Sequence, residues 1–292
     1  MSILKRFFAL TAVGTAIIYC ESKRELKNIR KKYIRLCMGE KISKGKPVRL
    51  AFIADYHEAE GGRLNKTIYR LISNEGPDAI IVAGDMINGY KNENARPAVS
   101  LLRSLSDVAP VYMAPGNHEK KAELHVYENT ELYDEFLRGI LKTDDIHYLK
   151  NEHNTLCFEG KKINIYGLDM DLKYYKRGDL IPLSAEAVKE YLGEASDDYN
   201  ILIAHNPEYF ESYAEWGADL TLSGHFHGGL INVPGIGGMI TPRLKLLPKY
   251  TKGLYYSEKD EGKKMYLTSG LGQHSIKIKV NNIPEIIIID LI

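Results

Sequence analysis

The chain has 292 residues, 44% of them hydrophobic and 26% charged, enough apolar material for a sizeable core at a length near the upper end for one domain. Its 39 lysines and arginines against 38 aspartates and glutamates give a formal net charge of +1, which argues against duplex nucleic acid as the main partner. The three cysteines, Cys20, Cys37 and Cys157, are widely spaced with no CxxC, so they write neither a disulfide framework nor a thiolate zinc site.

In chain order, Lys5 and Arg6 precede the uncharged run FFALTAVGTAIIYC, Phe7 to Cys20. Such a run reads as an uncleaved anchor, a cleaved signal or a buried helix; the small-x-small site at Gly14 to Ala16 falls inside it. The expectation adopted is a single N-terminal anchor and a membrane-associated protein. Tyr19 before Cys20 is too bulky for a lipoprotein signal. The flank ESKRELKNIRKKYIRL carries Lys23, Arg24, Lys27, Arg30, Lys31, Lys32 and Arg35. By the positive-inside rule this flank would put the catalytic part in the cytoplasm; it reads equally as resting on anionic headgroups or as a solvated helix face. The expected division is a hydrophobic anchor or signal over 1–22, a basic juxtamembrane helix or linker over 23–46, and a catalytic domain over 47–292.

From Val48 onward, short apolar runs alternate with helical patterns, the grammar of a layered α/β domain. VRLAFIAD (Val48 to Asp55) reads as a buried strand ending in a carboxylate. Leu64, Ile68, Leu71 and Ile72 form one helical stripe closed by Gly76-Pro77. Strands follow at Ala79 to Ala83 and Val111 to Ala114, with a helix near Ala95 to Ser106 between them. KINIYGLD, YNILIAHN and DLTLSGH are three more strands, Ala185 to Leu192 a helix capped by Ser184, and EIIIIDLI a closing strand covered on both faces. GGLINVPGIGGMITPRLKLLPKY is punctuated by Gly and Pro and reads as a long irregular loop.

Five blocks stand at or just after strand ends: Asp55-Tyr56-His57, Gly84-Asp85, Gly116-Asn117-His118-Glu119, His205-Asn206 and Gly224-His225-Phe226-His227. The carboxyl edge of an open α/β sheet is where loops converge on one crevice. Two aspartates, an asparagine and histidines make a mixed N/O donor set suited to Mn, Fe, Zn or Co. A strand-like backbone in DYH and HFH would put residues i and i+2 on one face, and the glycines would permit tight turns. Any one of these residues alone is more often structural. Of nine histidines, however, five fall in the blocks, leaving His125, His147, His153 and His274 outside.

These blocks, D-x-H, G-D, G-N-H-E, H and G-H-x-H in this order, resemble the calcineurin-like metallophosphoesterase superfamily from about Val48 to the C-terminus. The resemblance implies a four-layer sandwich of two packed mixed β-sheets flanked by helices, and two divalent ions bridged by Asp85. One ion would be held by Asp55, His57 and His227, the other by Asn117, His205 and His225, with His118 near the leaving group as catalytic residue. The tail from Gly224, with SGLG and NNIPEI, is similar to a bacterial membrane-associated branch related to UDP-diacylglucosamine pyrophosphate hydrolases. Two departures stand out. Asn88 occupies the place of an aspartate that in many members pairs with the catalytic histidine, and Ser269 lies where that branch carries an arginine.

A phosphorylated small-molecule or lipid substrate follows, with Arg243 and Lys245 in the apolar loop as candidate substrate contacts near headgroup phosphates. The same loop reads equally as a cover for the sheet. No feature calls for an obligate protein partner. The alternatives are a phosphodiesterase or nuclease on soluble substrates, and a silent binding scaffold.

Overall fold

The computed structural model describes residues 19–25, 28–39, 46–57, 62–176, 178–229, 248–272 and 280–292, with the backbone alone of Asn232–Val233 and Gly237–Gly238. The chain runs β1 (Arg30–Leu36), β2 (Val48–Ile53), α1 (Asn65–Ser73), β3 (Ala79–Val82), α2 (Arg96–Ser106), β4 (Val111–Met113), α3 (Asn117–Glu123), α4 (Leu132–Ile140) and β5 (Ile146–Tyr148). It continues through β6 (Glu152–Phe158), β7 (Lys161–Leu168), α5 (Ala185–Leu192), β8 (Tyr199–Ala204), α6 (Phe210–Trp216) and β9 (Leu220–Ser223). A two-residue pair, β10 (Asn232–Val233) with β11 (Gly237–Gly238), lies in the Gly/Pro-rich loop, and β12 (Gly253–Tyr256), β13 (Lys264–Leu267) and β14 (Glu285–Leu291) close the chain.

Two six-stranded mixed sheets result, ordered β1-β14-β2-β3-β4-β5 and β12-β13-β9-β8-β7-β6. In the first, β2 to β5 are parallel and β14 is antiparallel to β2; in the second, β13, β9, β8 and β7 are parallel between antiparallel edges. The period-2 rule sorts each central strand into two cores. Along β14, Ile287 and Ile289 face the inter-sheet core with Leu50, Phe52, Ile201 and Leu222. Ile286 and Ile288 face outward to Ile68 and Ile72 of α1, Leu101 and Leu105 of α2, and Phe136 of α4. The second sheet is covered by Val188 of α5 and Tyr213 and Trp216 of α6. The layers are therefore α/β/β/α, each fully buried Ile, Leu or Phe contributing about 1.5–3 kcal/mol of transfer energy.

Local signals act as the sequence predicts at several ends. Ser184 Oγ accepts from Ala187 N–H at 3.2 Å to cap α5, and α1 buries Ile68 and Ile72. Two expectations need correction. Residues Arg30–Leu36 are an edge strand, not a helix or linker, paired in parallel with β14 from Arg30 to Leu36, so the sheet begins well before residue 47. Basic side chains suit an exposed strand edge because they discourage further pairing. The membrane-anchored localisation is also overturned: no helix among the described residues is long and apolar enough to cross a membrane. The helical stretch at 19–25 carries Glu21, Lys23, Arg24 and Glu25. The apolar run from Phe7 to Cys20 lies, but for its last two residues, outside the described residues.

Because β2, β3 and β4 are parallel in one sheet and β8 and β9 in the other, the loops leaving their carboxyl ends share one edge of the sandwich. Asp55, Asp85, Asn117, His205 and His225 follow those five strand ends in turn.

Candidate metal centre

The loops are tied to one another before any side chain is considered. Asp55 N–H donates to Gly84 O at 3.0 Å, His57 N–H to Asp85 O at 3.1 Å, and Gly272 N–H to Asp55 O at 2.7 Å. Gly84 and Gly116 mark the closest approach. A Cβ on Gly84 would stand 2.3 Å from Gly116 N, and one on Gly116 would stand 2.2 Å from Asp85 Oδ1. Gly116 is extended, with φ −94° and ψ −173°, so space rather than a tight turn requires glycine there. Glu119, at the third position of α3, reaches back to accept the N–H groups of Gly116 (2.8 Å), Asp85 (2.8 Å), Met86 (2.7 Å) and Ile87 (3.2 Å). One buried carboxylate thus fixes the backbone around Asp85; burial and the charge of Asp85 push Glu119 up to about 7, against the pull of its N–H partners.

The pincer geometry expected of DYH and HFH arises differently from the sequence reading. Asp55, His57, Asp85, His225 and His227 all have positive φ, between 45° and 74°, so these turns are left-handed rather than strand-like. Such conformations cost non-glycine residues of order 1 kcal/mol or more each and cluster where surrounding structure imposes them for a site. Tyr56 and Phe226, between the paired donors, are buried in the apolar clusters and anchor each turn.

The side chains then meet in three overlapping groups, each with its donor atoms within 4.8 Å of one another: Asp55, His57 and His227; Asp85, His205 and His225; and His57, Asp85 and His118. His57 Nε2 lies 3.2 Å from His227 Nε2, and His227 Nε2 lies 3.9 Å from Asp55 Oδ1. Asp85 sits between the groups: its Oδ1 accepts from His118 N–H at 2.8 Å, while its Oδ2 lies 3.0 Å from His205 Nε2 and 3.7 Å from His57 Nε2. Both oxygens of Asp55 accept from His225 N–H, at 3.0 and 3.1 Å.

The donor chemistry fits cations. His205 Nδ1 is 2.6 Å from Ala83 O, which can only accept, so that hydrogen resides on Nδ1 and the lone pair of Nε2 faces Asp85 Oδ2. Two acceptors at that distance call for a proton or a metal ion between them. The charges show the same demand: burial works against a charged His205, yet Asp85 and Asp55 hold it up to about 9. Burial likewise opposes ionisation of Asp85, but His205, His118 and His57 hold it well below the usual carboxylate range. Asn117, the first residue of α3, has a buried Oδ1 with no hydrogen-bond partner among the described residues, a neutral oxygen suited to an ion. Arg243 and Lys245 lie outside the described residues.

Asn88 does not take the aspartate's place beside His118. Its Nδ2 donates to His57 O at 2.9 Å, and its backbone carbonyl, not its side chain, lies 2.7 Å from His118 Nδ1. Asn88→Asp would set a carboxylate against the His57 carbonyl, so it is expected to cost about 1–3 kcal/mol of stability and to lower turnover. Urea unfolding and a diester assay check this; a gain in turnover would show that the new carboxylate reaches His118. Ser269 is buried, its hydroxyl donating to Ile283 O at 3.1 Å. Sequence reasoning missed Asn282, whose Nδ2 holds the carbonyls of His227 and Gly229 (2.7 Å to the latter) while its N–H donates to Glu25 at 3.0 Å. It also missed Tyr127, whose hydroxyl is 2.7 Å from His118 Nδ1. Tyr127 sits in no recognisable motif, whereas Asn282 lies in the NNIPEI stretch, which signals the branch but not this contact.

Two packed mixed sheets with nitrogen and oxygen donors gathered at one edge define a hydrolase acting on phosphoric esters. The chain belongs to the calcineurin-like phosphoesterase family, which it matches over residues 48–229, and that family uses a dinuclear metal centre. It is 23% identical to an uncharacterized metallophosphoesterase, YkoQ, of Bacillus subtilis, over 91% of this chain and 92% of that one. It is 25% identical to the phosphodiesterase YaeI of Escherichia coli, over 84% and 83% of the two chains. To the UDP-2,3-diacylglucosamine pyrophosphatase LpxG of Chlamydia trachomatis it is 25% identical, over 82% of each.

Proposed function

We propose that this protein hydrolyses a phosphodiester or pyrophosphate bond at two divalent ions, Mn, Fe, Zn or Co. Asp55, His57 and His227 would hold one ion, Asn117, His205 and His225 the other, and Asp85 both. The observation that carries this reading is the position of Asp85 Oδ2, facing His205 on one side and His57 on the other. When bound, the ions supply a Lewis-acid centre that draws charge from the phosphoryl oxygens and acidifies water into a nucleophile. Asp55 and Asp85 neutralise two of their four charges, so the site keeps a net positive field for an anionic ester.

The remaining work belongs to the chain. Glu119 keeps the Asp85 loop from relaxing, and the buried second carboxylate oxygen of Asp85 is fixed by His118 N–H. His118, grouped with His57 and Asp85, would meet the leaving oxygen as the phosphorus–oxygen bond breaks, a role its position beside the donors supports. Phosphorus gains the oxygen of water, the leaving group departs with the bonding pair and takes up a proton, and no covalent enzyme intermediate is needed.

The relatives named as a phosphodiesterase and as a nucleotide-lipid pyrophosphatase support a diester or anhydride substrate, lipid-linked in the finer form of this reading. Manganese-loaded protein assayed on bis-p-nitrophenyl phosphate and p-nitrophenyl phosphate tests it. Faster turnover of the diester, lost with a chelator and regained with manganese, is expected. Turnover indifferent to the chelator would overturn the reading. A lipid-linked pyrophosphate in mixed micelles, turned over faster than its short-chain analogue, would support the finer form.

A further inference from the structure

His118 Nδ1 stands 2.7 Å from two oxygens at once, the backbone carbonyl of Asn88 and the hydroxyl of Tyr127. A carbonyl oxygen can only accept, so the hydrogen lies on Nδ1, and Nε2 is the nitrogen left for the group formed with His57 and Asp85. Tyr127 is held in place independently of this contact. Its ring stacks on His118, centroids 5.9 Å apart at 27°, and packs so closely on Gly89 that a Cβ there would lie 2.1 Å from two ring carbons. The turn supplying Asn88 and Gly89 is braced as well. Buried Glu93 accepts the N–H groups of Asn88 (2.7 Å), Gly89 and Tyr90 (3.0 Å), and its own carbonyl accepts from Asn129 Nδ2 at 2.8 Å.

We propose that Tyr127 is a positioning residue for His118: its hydroxyl and the Asn88 carbonyl share the Nδ1 hydrogen, fixing the ring's rotamer so that Nε2, when the ring also carries its second proton there, presents that hydrogen to the departing oxygen. This rests on the role given to His118 above. With the side chain of residue 88 turned to His57, the acceptors on Nδ1 are a backbone carbonyl and a phenol drawn from separate loops. An oriented ring matters most where the leaving oxygen needs a hydrogen-bond donor, and least where it departs as a stable anion.

Tyr127→Phe keeps the ring and its stacking and removes one oxygen. The variant and the parent, both loaded with manganese, are compared on bis-p-nitrophenyl phosphate and on diphenyl phosphate, whose leaving group is the more basic. The expected result is a loss in kcat about tenfold larger on diphenyl phosphate, the size of one neutral hydrogen bond, with KM and metal content unchanged. A purely structural role would lower both rates alike. An unchanged ratio between the substrates in an active enzyme, whatever the absolute rates, overturns this inference and leaves the metal-site reading standing. A parent enzyme inactive on both diesters overturns the site reading and this inference with it.

Discussion

Asp85→Asn is expected to abolish turnover and to weaken retention of both ions, whereas His118→Ala is expected to keep both ions and lose about 10²–10⁴-fold in kcat. The difference follows from where each side chain sits. Asp85 Oδ2 stands between His205 and His57, so removing its charge affects both donor groups at once. The asparagine is nearly isosteric, but its amide would turn either a neutral oxygen or an N–H₂ toward the ions. Several kcal/mol of transition-state stabilisation depend on such an ion pair, on the order of 10³-fold in rate or more. His118 has Nδ1 engaged with Asn88 and Tyr127, and its loss removes no donor from the group of Asp55, His57 and His227 or from that of Asp85, His205 and His225. Metal analysis of the two purified variants beside their diester rates checks the separation. Equal metal loss in both would refute it.

The second large effect comes from a residue with no functional group. Gly116→Ala is expected to cost about 10²-fold or more in turnover, because a methyl there would lie 2.2 Å from Asp85 Oδ1, 2.6 Å from its N and 2.8 Å from its Cγ. Gly116 has a backbone conformation open to alanine, so the penalty is one of space. Neither side can yield easily. Glu119 pins the N–H groups of both Gly116 and Asp85, and Gly84 packs so closely on the Gly116 backbone that a Cβ there would lie 2.3 Å from Gly116 N. The carboxylate must therefore swing out from between His57 and His205, and displacements near 1 Å at a reacting centre are worth about 10²-fold. Steady-state kinetics and metal titration of Gly116→Ala check this; wild-type turnover with both ions retained would contradict the close packing.

Much of this architecture was legible in the residues because the signals were local or periodic. The runs ending in Asp55, Asp85, His205 and His225 became strands, and Ile286 to Ile289 divided between two cores by simple alternation. What the residues could not disclose depended on contacts between distant segments. The basic stretch Arg30–Leu36 looks solvated by composition, and only pairing with β14 at the far end of the chain makes it a strand. The left-handed turns at Asp55, His57, His225 and His227 defied the alternation argument because neighbouring loops, rather than intrinsic preference, impose them. Tyr127 carries no motif, and its relation to His118 exists only once the Gly89 turn is folded against it.

Anomalous diffraction from crystals grown with manganese tests the central claim most directly. The account predicts two peaks per chain, one among Asp55, His57, Asp85 and His227 and the other among Asp85, Asn117, His205 and His225. A single peak, or ions bound away from Asp85, would contradict it.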